Sequence, residues 1–315
     1  MIRYYVRENG RLKELQEPVP SCWIDISPPF THEELEDIGS RFLIPIDFMT
    51  DSLDIDERPR YEKEDDVRLM VIHTPILNDG DREDEAIYIT VPIGLIVTID
   101  HVITITSFEN PVINHFIDNK VKNFDPANDK LFVLQILEQN VYRFLNCLKK
   151  LNLRRNSIEK ELYNSSRNQE LKLLLSIEKS LVYFVNALSA NELLKMKMKR
   201  TDFIQIREDE DMTDLLEDII IDNRQALEMA NIYTNILSGT MDSYSSIIAN
   251  NLNMVIQRLT IITIVLMVPT LVSSFFGMNV SLPLHDNKYA FLLILIIAVI
   301  LSLLIVWFFR RKQLF

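Results

Sequence analysis

A chain of 315 residues, 48% apolar by count and with a mean hydropathy near zero, suits a large soluble part joined to a small membrane part. Its net charge of −12 is unevenly placed: residues 1–250 hold 28 basic and 44 acidic side chains, a balance of −16, whereas residues 251–315 hold five basic and one acidic. An acidic body argues against nucleic acid, whose phosphates need a basic face, and fits either weak divalent-cation sites or a solubilising surface.

Met1-Ile2-Arg3-Tyr4-Tyr5-Val6 has neither the apolar stretch nor the small-residue cleavage site of a signal peptide, so membrane insertion is left to segments further on. Residues 22–26 read as a short apolar strand stopped by Pro28-Pro29, and Thr31 with Glu34 forms a capping box that opens a helix to about Phe42. A second short helix is expected over residues 45–53, a polar turn over 56–60 and a strand over 67–73. Residues 86–106, rich in Ile, Val and Thr with a polar break at Asp100-His101, predict a hairpin. Pro92 within it predicts an edge strand or a bulge. Residues 1–125 are therefore expected to form an α/β domain. Cys22 and Cys147 are too few and too far apart for a disulfide framework or zinc cluster, and read as free thiols in a reducing compartment.

From Pro126 the pattern changes to long helices. Residues 129–164 place Leu131, Leu134, Leu137, Val141, Phe144 and Leu148 on one helical face, and 168–199 repeat this with Leu171, Leu175, Ile177, Leu181, Phe184 and Leu188. These two segments predict antiparallel helices within residues 126–210. Another helix starts near Asp211 or Thr213, meets no proline before Pro269 and holds one interior glycine, Gly239. About 65 helical residues span about 100 Å at 1.5 Å each, with 211–258 as a stalk below a membrane.

Residues 259–276 and 289–309 are uncharged runs of 18 and 21 residues, each near the ~20 needed to cross a bilayer as a helix. Arg258 precedes the first, and Arg310, Arg311 and Lys312 follow the second in the tail 310–315. The connector 277–288 holds Lys288 against Asp286. This bias places both termini in the cytoplasm of a multi-pass protein of the plasma membrane. Asn253, Ile256, Thr260, Thr263, Met267, Thr270, Ser274 and Gly277 follow one another at alternating steps of three and four, which keeps one small, mildly polar face on a common axis. Two helices cannot enclose water, so a pore along this face requires several copies. The same pattern also fits Thr and Ser bonding their own backbone carbonyls or packing a helix pair. The stripe has no carboxylate, which suits Mg2+: this ion sheds its water reluctantly and can be guided by neutral oxygens touching its hydration shell.

Gly277-Met278-Asn279 directly after the first of two C-terminal spans, with a short loop, a second span and a basic tail, resembles the CorA family of magnesium channels. The resemblance extends with lower specificity over the whole chain. It departs at Val280, where the family commonly has an aromatic residue, and at residues 281–286, which replace the glutamate-bearing loop of many members. The resemblance implies a homopentamer whose pore is lined by Asn253, Ile256, Leu259, Met267, Thr270 and Asn279. In such a channel Asn279 and the Gly277 carbonyl would accept hydrogen bonds from ion-bound water, with glycine suited to a backbone leaving a helix beside an ion. Met278 would pack on the next subunit, Ile256, Leu259 and Met267 would form apolar constrictions that close by dewetting, and Asn253 would form a polar ring. Pro269 frees the Val265 carbonyl and could kink the span.

Residues 58–67, with Pro59-Arg60 followed by acidic residues entering a strand, resemble the family's N-terminal domain. By the same resemblance Asp218 matches the stalk aspartate that, with an aspartate of the next subunit matched best by Asp51, holds a regulatory Mg2+. The cargo expected is Mg2+, with Co2+ and Ni2+ as further candidates. The alternatives are a Zn2+ transporter of the same superfamily, with proton coupling as an open variant, and a non-conducting membrane-anchored scaffold or sensor. His32, His73, His101, His115 and His285 show no metal-site spacing, and six glycines supply no phosphate loop or nucleophile elbow. ATP-driven pumping and enzymatic catalysis are not expected.

Overall fold

The computed structural model describes residues 1–8, 10–78, 80, 85–162, 168–278 and 289–311. They divide into two compact units, Met1–Thr240 and Met241–Phe315, with the division inside one helix. The first unit opens with strands β1 (Ile2–Glu8), β2 (Arg11–Leu15) and β3 (Trp23–Ile26), followed by helices α1 (His32–Phe42) and α2 (Ile46–Asp51). Strands β4 (Arg60–Glu64), β5 (Val67–Leu77), β6 (Tyr88–Val97) and β7 (Val102–Thr106) and helix α3 (Pro111–Ile117) come next. Three long helices follow, α4 (Asp129–Leu162), α5 (Asn168–Thr201) and α6 (Glu210–Phe276), and then α7 (Ala290–Arg311).

The strands form a seven-stranded sheet ordered β2-β1-β3-β7-β6-β5-β4. Its pairings are antiparallel except for the parallel β3–β7 pair. Side chains alternate across it with the period of two that a pleat imposes. Leu69, Val71, Ile96, Ile103 and Ile105 face α1 and α2, whereas Met70, Ile72, Ile93, Leu95 and Val97 face α3, α4 and the lower part of α6. The result is a three-layer α/β unit. Its α1 is opened by the expected capping box: Thr31 Oγ1 accepts from the Glu34 N–H, and Glu34 accepts from the Thr31 N–H at 2.8 Å.

A hydrogen-bond chain fixes the β3–β7 pair. The Trp23 indole donates to Thr104 Oγ1 at 2.9 Å, Thr104 donates to Asp25 Oδ1 at 2.9 Å, and Arg3 pairs with Asp25 Oδ2 at 2.7 Å. Burial pushes the Asp25 carboxyl above its usual range, with the Arg3 hydrogen bond and charge opposing it. Both cysteines are free and buried.

Three expectations need correction. β6 is not an edge strand, and its register with β5 runs unbroken from Leu77↔Tyr88 to Arg68↔Val97, so there is no bulge at Pro92. Pro92 is tolerated because β7 stops pairing at Ile93↔Thr106, so the missing N–H falls just past the end of the neighbouring strand. Opposite it, the backbone of His73 is met from the helices, by Asn191 at 3.0 and 2.8 Å and by Asn140 at 2.9 Å. On α5 the buried face is Leu174, Ile177, Leu181, Phe184 and Leu188, while Leu175 is exposed. Strands β1, β2 and β4 and helix α3 are elements the sequence reading did not contain.

Gly94, midway along β6, is where α2 lies against the sheet. A methyl added there would overlap the Ser52 side chain and lie 2.6 Å from Ile105 Cγ2. Gly94→Ala is expected to destabilise the protein by about 1–3 kcal/mol through overpacking. A shift of the denaturant midpoint with an unchanged slope would register it; an unchanged midpoint would show that α2 is not held at this distance.

Candidate functional site

The stripe singled out in the sequence lies on the upper part of α6. Asn253, Ile256, Leu259, Thr260, Thr263, Met267, Thr270, Ser274, Gly277 and Met278 are all exposed in the single chain, Leu259 at 63% and Met267 at 59%. Most of the opposite face is less exposed. Ile261 is buried, and Ile264, Val265, Val268 and Val272 are half-buried, matched on α7 by buried Ala298 and by Ile294, Ser302, Ile305 and Val306 at the same intermediate level. At 100° of turn per residue, the stripe is centred about 140° around the helix from this covered face. Within this unit α7 thus covers one side of α6 and leaves the stripe free.

The stripe's hydroxyls have a defined polarity. Thr260 donates to the Ile256 carbonyl at 2.8 Å, Thr263 to Leu259 at 2.9 Å and Thr270 to Leu266 at 3.0 Å. A hydroxyl has one hydrogen to give. Once it is spent on the backbone, only lone pairs face outward, and the group acts as an acceptor toward anything that approaches. The waters around a cation present their hydrogens outward. Backbone bonding and ion guidance, which compete as readings of the sequence, are compatible in the structure.

One expectation about the end of α6 changes. Pro269 lies inside the helix. Gly277 donates to the Ser273 carbonyl at 2.9 Å as a helical residue would, and it is not among the residues of positive φ. A methyl there would meet that oxygen at 3.2 Å. The backbone conformation therefore does not demand glycine. Met278 is exposed at 53%. Asn279 and the rest of the connector, residues 280–288, fall outside the described residues, as do residues 312–315 of the tail.

The two aspartates matched to a regulatory site stand on different elements of the first unit. Asp51, at the end of α2, is bound by Arg60 Nη2 at 2.6 Å. Arg60 also binds Glu57 at 2.9 Å and pairs with Glu62, so one guanidinium serves three carboxylates and leaves two negative charges uncompensated. Sequence reasoning noticed Pro59-Arg60 but not this arrangement; the alternation Arg60, Glu62, Glu64 along an edge strand is the signal that was present. Asp218 is exposed on α6. Burial first, and then the charges of Glu138, Asp222 and Asp218, raise the Tyr142 hydroxyl above its ordinary value, which marks a negative local field. Among the described residues no cluster of three His, Cys, Asp or Glu side chains could hold a metal within one chain.

Comparison with known proteins gives a consistent result. The sequence profile of the CorA-like Mg2+ transporter protein family matches residues 20–311. The cobalt/magnesium transport protein CorA of Methanocaldococcus jannaschii is 26% identical over 295 residues, covering 92% of this chain and 90% of that protein. Among solved structures, the complete CorA magnesium transporter from Methanocaldococcus jannaschii superimposes with a TM-score of 0.81 at 23% identity, covering 99% of this chain and 98% of that one. The ZntB cytoplasmic domain from Vibrio parahaemolyticus shares the fold at a TM-score of 0.61 and 10% identity, over 79% of this chain and 98% of that domain.

The angular relation of stripe and covered face predicts a cross-linking pattern. In bilayers under mild oxidation, Thr263→Cys is expected to give disulfide-linked dimers on non-reducing gels, and Val268→Cys, on the face toward α7, is expected to remain monomeric. The reverse pattern would mean that copies meet through the other face.

Proposed function

The chain belongs to the family of CorA-like Mg2+ transporter proteins, and from that premise we propose that it is a divalent-cation channel carrying Mg2+ into the cell. The observation that carries this reading is the exposed, carboxylate-free stripe of α6, set away from α7 and bearing hydroxyls that can only accept. Several copies placed with their stripes inward line a water-filled path, and the pentamer of the resemblance is the assembly proposed. Mg2+ passes with its hydration waters retained, guided by Thr260, Thr263, Thr270, Ser274 and Asn253 and screened at the outer end by Asn279 with the Gly277 carbonyl. Ile256, Leu259 and Met267 form the apolar constrictions. Entry runs down the inside-negative potential, worth about 2.3 kcal/mol per charge per 100 mV.

The membrane spans proposed are 259–276 and 289–309, in the plasma membrane with both termini cytoplasmic; 277–288 faces outside and 310–315 is the inner tail. Residues 1–125, 126–210 and 211–258 form the cytoplasmic α/β domain, antiparallel helices and stalk. Among the described residues three helices, those over Gln169–Thr201, Glu210–Phe276 and Phe291–Arg311, are long and apolar enough to cross a membrane. The first of these is α5, whose apolar face is committed to the core of the α/β unit: Leu181, Phe184 and Leu188 are buried, and Ser180 and Asn191 hold strand backbone. That supports two spans.

For regulation, Asp51 of one copy and Asp218 of the next are proposed to hold an intracellular Mg2+ that keeps the assembly closed, so that a fall in internal Mg2+ opens it. Arg60 is the group such an ion displaces or shares. Co2+ is a second cargo, suggested by the cobalt/magnesium transport protein of Methanocaldococcus jannaschii, and Ni2+ a third. Zn2+ transport is the alternative, suggested by the fold shared with the ZntB domain.

The test is Mg2+ influx into liposomes holding the purified protein and an internal indicator. Wild type is expected to admit Mg2+ at low internal Mg2+ and to slow at millimolar internal Mg2+; Asn279→Ala is expected to lose at least tenfold in rate, and Asp218→Ala to conduct without slowing. An intact oligomer that admits Zn2+ but not Mg2+ would replace this reading with the zinc transporter, and one that admits neither with the scaffold. Equal slowing of Asp218→Ala and wild type would remove the regulatory site alone.

A further inference from the structure

The contact between α5 and α6 encloses an amine that water does not reach. Lys195 of α5 has 0% exposure, and its Nζ donates to Asn223 Oδ1 of α6 at 2.7 Å. Asn223 is held in turn by donating its Nδ2 to the Leu188 carbonyl at 3.0 Å. Among the described residues Asn223 is the one hydrogen-bond partner of this amine. An ammonium has three N–H donors to satisfy, whereas a neutral amine has fewer and no charge to solvate. The site therefore fits the neutral form and leaves the charged form under-served.

The charged groups around it do not compensate. On α5 itself, Glu192 is bound to Arg224 of α6 at 2.9 Å, and Lys199 one turn further on is bound to Glu217 of α6 at 3.0 Å. From the sheet, Asn191 ties α5 to the backbone of His73, whose imidazole is turned toward the Glu57 carbonyl at 2.7 Å. From α4, Tyr142 lies in the field of Asp218 and Asp222 of α6. No carboxylate forms an ion pair with Lys195 among the described residues. Burial pushes the amine down to about 7, with Glu192 opposing.

We propose that the enclosed Lys195 amine makes the docking of α5 on α6 proton-sensitive, tightening it as protons are withdrawn and loosening it as they return. In an opened state the amine meets water and regains the ordinary lysine value of 10.5. Between that value and about 7, the opened form binds one proton more than the docked form, so alkali favours docking. Below about 7 both forms are protonated and the dependence vanishes. For one such group the docking equilibrium shifts about fivefold between pH 7 and pH 8. Asn223 lies on α6, the helix whose upper part carries the candidate ion path.

The test uses hydrogen exchange of the full-length protein in nanodiscs, over residues 188–200 and 217–226. Wild type is compared with Lys195→Gln, which keeps an amide donor but cannot titrate, and with Lys195→Met. Dividing by the variant at the same pH removes the intrinsic pH dependence of exchange. The wild-type-to-variant protection ratio is expected to rise about fivefold from pH 7 to pH 8 and to stay level between pH 5.5 and pH 6.5. A ratio that is the same at pH 7 and pH 8 overturns the proposal. If neither variant folds, wild-type protection in these segments is divided by that of the β5–β6 pair, and a quotient that is level between pH 7 and pH 8 overturns it equally. The measurement needs no ion flux, so its outcome is independent of the transport reading.

Discussion

The constraint on which the rest depends is the continuity of α6, a single helix of 67 residues that contains Pro269. Within each of the two units it passes through, the helix fixes the rotational phase of its side chains relative to one another. In its lower part, Leu216, Ile219, Asn223, Ala226 and Ala230 are buried; Leu216 and Ile219 belong to the core that also holds the sheet. In its upper part, the covered residues lie on the face toward α7 and the stripe lies exposed. One element thus has two different environments along its length. The chain assigns residue types accordingly, with Leu, Ile, Ala and one amide, Asn223, buried at the lower contact and hydroxyls interleaved with branched aliphatics above.

That division explains what was legible in the sequence. The helix α6, expected to start near Asp211 or Thr213 and found to start at Glu210, was readable because it lacks proline before Pro269 and because its apolar content is high. The capping box of α1 and the break between β6 and β7 were readable because each rests on local chemistry at a few adjacent residues. The hairpin of β1 and β2 was not, since β1 carries Arg3, Arg7 and Glu8 and has one buried residue, Tyr5. Its Asn9-Gly10 pair was a turn signal, and Gly10 does take a positive φ of 77°. Likewise β4 is an edge strand of mostly exposed residues, held by its ladder to β5 rather than by burial. On α5 the run Leu173-Leu174-Leu175 gives periodicity no phase to lock onto, and in the structure it is Leu174 that is buried while Leu175 is exposed.

The candidate site was legible to a different degree. Spacing identified the stripe, but not that its threonines spend their only hydrogen on the backbone, because a hydroxyl's direction depends on the rotamer and the preceding turn. The two aspartates were found by matching positions, which carries no information about neighbours. The structure adds that Asp51 is already paired, with Arg60 as an internal cation. A divalent ion arriving there does not meet a bare carboxylate: it must exceed the guanidinium in charge density to displace it, or share the surplus of two negative charges left by Glu57 and Glu62. That favours a weak site, responsive at high ion concentration, over a tight one.

The same reasoning limits what the overall charge can do. Residues 1–250 carry −16, and it is tempting to let that charge act on cations at a distance. At physiological ionic strength the field of an exposed charge decays over about 8 Å, so carboxylates spread over a domain of this size act as separate local sources. What matters is which of them converge and what already neutralises them. Arg60 gathers three, Glu192 is held by Arg224, Glu217 by Lys199, and Asp25 by Arg3. Asp218 stays exposed on a helix face. A carboxylate in that position gains binding strength when a second surface brings another one to it, and the regulatory cation proposed at Asp218 would draw on assembly of more than one copy in that way.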